Sequence, residues 1–437
     1  MVKKSIKKLR KIKKDYERLG KILIFVIFLN LCNFSNFYNC LYAYSSLNSY
    51  YGWGEQVRGL SAKSVGLGSV SVALPDDVGS IFTNPACMMK ISEEHKGMLS
   101  VSPSIVWSSD KRDHSYSATS YTTNRNIFFQ PDSAGMLWSS VRDFVFGLGA
   151  STAYDYSYKF EEKSARDRGY GSAEGEDTVN QLGQLFNYGC AMNYNYKNWL
   201  SVGFGGYARQ GDVKSEKQLI TYGSSGSPDI VRKIKTDSAL TGGFAGSVGF
   251  LISDEEIGSV GLVWTSGSEI RKRSSEKDTT GGVLNSSSSY TVKYNYPQTV
   301  GFGFRFNFKD AADSSVFVDT SFTAWSDART KIAGVKTDPL FIDVWEYHIG
   351  FEHKPFSDVI FRYGFSYLPS YIATGEAVSS ISFGCGFYIS MVEVDIAGDY
   401  ARQKSVQERL FFEDTGQRDS VKDTTTRLIS SVRYRWK

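Results

Sequence analysis

The 437 residues include 41 Gly, 15% aromatic residues and only 9 Pro at a mean hydropathy of -0.28, which excludes a bundle of apolar membrane helices and suits many strands. The length would hold two or three ordinary domains, but no linker divides the sequence beyond its N-terminal leader, so one large closed sheet fits better. The formal charge of +4 belongs to that leader: residues 1–21 hold ten Lys or Arg against Asp15 and Glu17, a net +8, which leaves −4 for the rest.

Residues 1–43 read as a secretory signal, with a basic region to Lys21, an apolar run over 22–31 and a cleavage site after Ala43. The competing reading is a membrane anchor, but the apolar run is short for a span and is diluted by Asn30, Asn33, Asn36 and Asn39. Nucleic-acid binding is not expected, because no aromatic or Gly-rich binding module accompanies the basic run. Cys32 and Cys40 leave with the leader, and Cys87, Cys190 and Cys385 remain without CxxC or metal spacing. A single disulfide among the three stays open; for Cys190 and Cys385 a strand position filled by a small hydrophobe is the simpler reading. No cofactor or metal is implied.

Residues 44–96 contain a stretch unlike everything after it, GLGSVSVALPDDVGSIFTNPACMM from Gly66. Asp76 and Asp77 follow Pro75 and precede residues 78–82, so either carboxylate is placed to cap a short helix whose free N–H groups need acceptors. Pro85 is expected to end that turn, having no donor and pushing Asn84 out of the helical region. The segment is too short for a core of its own and reads as a plug folded inside something larger.

From Gly97 to the end the dominant signal is period-two alternation. Val300, Phe302, Phe304, Phe306 and Phe308 share one face; Gly301, Gly303, Arg305 and Asn307 share the other. The pattern returns in 359–367 and 380–389, and Val392, Val394 and Ile396 alternate with Glu393 and Asp395. Strands are expected near 97–107, 127–139, 143–161, 184–196, 198–209, 239–252, 256–268, 289–308, 314–325, 342–354, 357–368, 377–389, 390–401 and 427–436. About fourteen segments of ten or more residues suit tilted membrane strands better than a soluble sandwich. Long connections (108–126, 162–183, 210–238, 269–288, 326–341, 369–376 and 403–426) alternate with tight turns. The expectation is an all-β, up-and-down antiparallel barrel over 97–437 in an outer membrane, with solvated outer loops and both termini periplasmic. Lipid-facing charge costs about 2–4 kcal/mol at mid-depth, which assigns Arg305, Arg362, Glu346, His348, Asp395 and Asp399 to the lumen. Trp53, Trp138, Trp199, Trp345 and Trp436 are candidates for interfacial girdles. Asp395 and Asp399 are expected to pair with Arg433 and Arg435.

These residues resemble the FadL family of outer-membrane transporters of long-chain fatty acids and other hydrophobic compounds. VALPDDVGSIFTNPAC is similar to the family's plug motif V-A-x-x-D-D-x-x-x-x-x-x-N-P-A-G, with Asn84, Pro85 and Ala86 intact and Cys87 in place of the usual Gly. FVFGLGASTAYDYSYKF followed by LFNYGCAMNYNYKNWLSVGFGGYARQGD is similar to the third to fifth strands, and YHIGFEHKPFSDVIFRYGFSYLPS to a late hairpin. The resemblance implies a fourteen-strand barrel closed by an N-terminal hatch, with Asp76, Asp77, Phe82, Asn84, Pro85 and Ala86 as hatch or gate residues. It also implies a kinked third strand that opens the wall sideways, where Gly147 and Gly149 are candidates; ordinary barrel glycine is the alternative. Trp436 followed by Lys437 departs from a terminal aromatic assembly signal.

The expected cargo is a long-chain fatty acid or another hydrophobic ligand, and outer-membrane lipid is the other partner. Burying a dozen methylenes stabilises the complex by roughly 10 kcal/mol. Phe317, Ile360 and Tyr388 are the inward pocket candidates. Alternatives are a non-transporting barrel, whether surface antigen or secretion-assembly component, and a general porin. An enzyme is not expected, since His95, His114, His348 and His353 form no triad or metal spacing. His348 with Glu346 and Glu352 makes a polar cluster on one strand face.

Overall fold

Alternating sequence becomes pleated strand, and inside a bilayer a strand is stable only where every backbone group is paired, so the sheet has to close. The computed structural model describes residues 52–88, 96–114, 121–141, 143–167, 172–197, 199–222, 228–254, 256–308, 313–332, 335–356, 358–408 and 418–436. The leader and its cleavage site lie outside the described residues.

Fourteen antiparallel staves make the barrel. The first seven are β1 (Gly97–His114), β2 (Tyr121–Val141), β3 (Phe144–Asp155, continued by Tyr158–Asp167), β4 (Ser172–Tyr196), β5 (Leu200–Tyr222), β6 (Pro228–Asp254) and β7 (Gly258–Thr265, continued by Ser268–Thr280). The others are β8 (Val283–Tyr296, continued by Thr299–Phe308), β9 (Ser314–Thr323), β10 (Val344–Phe356), β11 (Val359–Pro369), β12 (Ala377–Ile389), β13 (Val392–Glu408) and β14 (Arg418–Trp436). Closure is made by β14, which pairs with β13 on one edge and β1 on the other.

Phe302, Phe304, Phe306 and Phe308 are exposed on the outer face, as are Phe361, Tyr363, Phe365, Ile381 and Phe383 on their staves. Arg362, Glu346, His348 and Asp395 are buried in the lumen, and Arg305 lies over the Phe317 ring at 5.5 Å. Trp199 and Trp345 are exposed as a girdle requires, but Trp53 is 2% exposed and belongs to the interior. Cys87, Cys190 and Cys385 are all free, so the open disulfide is not made.

The long connections are mostly not loops. β4 and β6 run for 25 and 27 residues, and the polar stretch SEIRKRSSEKDTT is itself strand, paired with Val283–Tyr296. Above the lipid both strand faces meet water, so side chains still alternate while hydrophobicity does not, and the period-two signal disappears. Three staves break: β3 at Tyr156 and Ser157, β7 at Ser266 and Gly267, and β8 at Pro297, which has no N–H to donate.

Residues 52–88 fill the lumen. Glu55–Gln56 adds to β3 opposite Tyr154 and Asp155. A one-turn helix, α1 (Ala62–Gly66), is capped by Ser61, whose hydroxyl accepts from Ser64 N–H at 3.1 Å. The wall admits this backbone through glycine: Gly350 and Gly364 face Leu67 and Gly68, Gly261 and Gly303 face Val72 and Ala73, and Gly203 faces Pro85 and Ala86. A side chain at any of these would occupy the space of the inner segment's own main chain.

Candidate functional site

Of the two candidate caps, Asp77 caps. Its Oδ1 accepts from Gly79 N–H at 3.0 Å over the 3-10 turn Val78–Ile81, and its other oxygen accepts from Ser61 Oγ. Asp76 instead takes a left-handed conformation, φ 59°, and its carbonyl accepts from Arg433 at 2.9 Å. Pro85 does not simply end a turn: it opens a second one, Pro85–Cys87, with extended Asn84 as its cap. Pro suits that first position because its missing N–H would be unsatisfied there anyway. Asn84 Oδ1 accepts from Ala86 N–H at 3.1 Å while Nδ2 donates to Val72 O at 2.6 Å, so one fully buried side chain ties both arms of the segment together. Phe82 meets Tyr207 edge-on at 5.9 Å. Ala86 is held to the wall through Asn193 Nδ2, which donates to Ala86 O at 3.3 Å and Met88 O at 2.7 Å.

Polar contacts from the barrel hold the rest. Arg58 Nε donates to Glu346 at 2.8 Å, and Arg427 donates to the Arg58 carbonyl at 3.0 Å. Asp319 accepts the N–H groups of Ser71 and Val72 at 2.5 and 2.7 Å, and His348 Nδ1 lies 2.7 Å from Gly68 O. Behind α1, Arg362 bridges Glu352 and Asp395, and Arg433 bridges Asp395 and Glu393. Arg435 pairs with Glu393, whereas Asp399 pairs with Arg427 at 3.0 Å, because β14 sets Arg427 opposite Asp399 in register. Lys63 donates to Pro75 O at 2.9 Å, and burial pulls its pKa down. Burial, with the Asp319 charge nearby, pushes the Cys87 thiol well up, so it is an inert hydrophobe in this state.

Above this segment lies an aromatic cluster. Trp53 is met edge-on by Tyr294, Tyr296, Trp325 and Phe341 at 5.0 to 6.0 Å, and Trp325 stacks on Tyr371 at 3.8 Å. Beside it is a cavity of about 160 Å³ whose lining includes Phe82, Tyr154, Tyr207 and Arg209 on one side and Glu346 and His348 on the other. The Arg209 guanidinium sits 5.5 to 5.9 Å from the Tyr154, Tyr207 and Tyr296 rings and donates to Asn187 and Ser268, both neutral. The described residues give Arg209 no ion pair.

The wall beside this chamber is incomplete. The β2–β3 ladder stops at Ser133 and Ser151. Beyond that point the join depends on side chains: Thr152 Oγ1 to Pro131 O at 2.5 Å, Asn126 Nδ2 to Lys159 O at 3.0 Å, and Glu161 N to Asn124 Oδ1 at 3.0 Å. Gly147 and Gly149 are not at this gap. Both lie in the fully paired part of β3 and accommodate the inner segment, where an added Cβ would stand 2.8 Å from Ile81 at Gly147 and 3.3 Å from Ile81 at Gly149.

The structure does not bring the pocket candidates together. Phe317 packs under Leu67, Val70 and Leu74. Ile360 is buried opposite Gly386, and Tyr388 is a half-buried ring near Lys354. None of the three lines the central cavity. The residues that do, Tyr207 and Arg209 above all, left one trace in the sequence: a cation two positions from a tyrosine in SVGFGGYARQGD, hence on the same strand face.

Residues 53–405 match the model of a family described as outer membrane protein transport protein (OMPP1/FadL/TodX). The chain belongs to this family. It is therefore an outer-membrane transport protein and not an enzyme. Among solved structures it is similar to a Pseudomonas aeruginosa FadL homologue, with 14% identity, a TM-score of 0.63, and coverage of 88% of this chain and 100% of that one. The P. putida toluene transporter TodX matches at 12% identity and TM-score 0.60, covering 87% and 99%. The CymD monoaromatic hydrocarbon channel matches at 15% identity and TM-score 0.57, covering 86% and 98%. At these identities the likeness is one of fold. No curated protein sequence matches.

Proposed function

We propose that the chain carries amphipathic hydrophobic molecules, with long-chain fatty acids as the leading class, across the outer membrane. Its short turns and both termini face the periplasm. Arg209 is the observation that carries the cargo class: a lumenal guanidinium with neutral partners, placed between the chamber's aromatic cluster and Phe82. A carboxylate head fits that half-buried cation, since a partly desolvated charge without a counter-ion is costly and a charge-assisted hydrogen bond relieves it. The aliphatic tail would part the aromatic cluster and then leave sideways through the gap between β2 and β3, once residues 82–86 move.

A second cargo is favoured by the cavity itself. With the inner segment in place the space of about 160 Å³ is close to the roughly 150 Å³ known to hold one benzene ring, so a monoaromatic fits without rearrangement.

The test compares binding of a fatty acid, its methyl ester and toluene to wild type and Arg209→Gln. Loss of on the order of tenfold in fatty-acid affinity, with ester and toluene unchanged, is expected. Fatty-acid affinity in the variant equal to that of wild type would refute the carboxylate role, and tighter wild-type binding of toluene than of fatty acid would favour the monoaromatic.

A further inference from the structure

Lys272 is a lumenal cation that the chamber described above does not use. On its stave, β7, Ile270 and Ser274 are buried while Arg271 and Arg273 are exposed, so alternation turns Lys272 inward. Its register partners are Leu240 on β6 and Val292 on β8, both buried aliphatics. Arg58, Arg112, Arg362, Arg427 and Arg433 each meet a carboxylate inside the barrel. Lys272 makes no hydrogen bond or ion pair with any described residue.

The acids close to it on the strand are engaged elsewhere. Glu269 is on the outer face with Arg271 and Lys293, both at 3.2 Å, and Glu276 accepts from the Thr236 and Tyr290 hydroxyls at 3.4 Å. Set among apolar side chains above the lipid, the half-buried Lys272 ammonium is partly stripped of water, which pulls its pKa down to about 8 and still leaves it charged at neutral pH.

Position gives this cation a meaning. Ser268, whose hydroxyl accepts from Arg209, is followed on the same inward face by Ile270 and then Lys272. Lys272 therefore stands four residues from the Arg209 contact, about 13 Å along the strand. The aromatic cluster lies between them: Tyr296 is opposite Ser268 and Tyr294 opposite Ile270, and both rings meet Trp53 edge-on. Ile270 and Leu240 belong to the same buried cluster as Trp53. A cation thus flanks the cluster on each side, Arg209 within and Lys272 without. An anionic head arriving from water would otherwise meet this apolar stretch with no partner, and an unpaired charge taken out of water is costly. We propose that Lys272 receives the carboxylate of the cargo at the outer mouth and holds it while the aliphatic tail parts the cluster, until Arg209 takes the head inside. A charge at an entrance acts on the association rate more than on the final affinity. The proposal rests on the fatty-acid reading given above, with Arg209 as the inner head site and the short turns periplasmic.

Stopped-flow association of dodecanoate and of methyl dodecanoate with the purified protein in nonionic detergent is compared for wild type, Lys272→Met, Lys272→Arg and Arg209→Gln. Lys272→Met should slow association of the acid about fivefold at low salt and flatten its salt dependence, while the ester associates as with wild type. Lys272→Arg should keep the wild-type rate for both. Unaltered association of the acid in Lys272→Met, or equal slowing of acid and ester, would overturn the proposal. Failure of the reading beneath it shows separately and at equilibrium, as an Arg209→Gln variant that holds the acid as tightly as wild type.

Discussion

Gly203 is the position where the fit between inner segment and wall can be challenged with one methyl group. It is buried on β5, and a Cβ there would overlap the main chain at Pro85 and Ala86, atoms that no rotamer change can clear. Gly206, three residues on, has nothing within 4 Å of the same added atom. Gly203→Ala should therefore drive residues 84–87 off the wall while leaving the strand ladder intact, since alanine is an ordinary strand residue. Overpacking of this kind costs about 1–3 kcal/mol, a 5- to 150-fold shift in a two-state equilibrium. If that segment gates the lumen, single-channel recordings in a planar bilayer should show a rise in open probability within that range, with Gly206→Ala at the wild-type level. Heat-modifiable migration on a gel confirms that both barrels are folded. Identical recordings from the two folded variants would refute the gating role of residues 82–86.

Asn84→Ala removes the cap on Ala86 and the donor to Val72 O together, and should lower the melting temperature or loosen the segment by about 1–3 kcal/mol, read by hydrogen exchange at residues 70–88. Cys87 is buried and bonded to Val72 O at 3.2 Å, so in a Cys190→Ser/Cys385→Ser background maleimide should label it slowly, and cargo should speed that labelling at least several-fold if the segment moves during transport. Joining Asn124→Cys to Glu161→Cys with a short bis-maleimide should abolish cargo release to the membrane without affecting binding in the chamber; undiminished uptake by the cross-linked protein would exclude the β2–β3 gap as the exit.

How much of this could be read before folding depended on the range of the interaction that decides it. Period-two alternation is local and is imposed by lipid on one side, so it gave the number of membrane staves, the lumenal placement of Arg362 and Asp395, and the apolar outer face. The plug motif worked for the same reason: Asp77 and Asn84 cap turns only two residues away. Outside the lipid the signal failed, because Ser and Thr on both faces of the β7–β8 hairpin carry no contrast even though the backbone remains strand.

Contacts across the lumen belonged to the tertiary structure alone. Trp53 resembles a girdle tryptophan until β8 and the segment after β9 bring Tyr296, Trp325 and Phe341 around it. Gly147 suits a hinge until Ile81, more than sixty positions earlier, is found against it. A chain can encode which way each side chain points from its immediate neighbours, but which distant side chain it meets is fixed only when the sheet closes on itself.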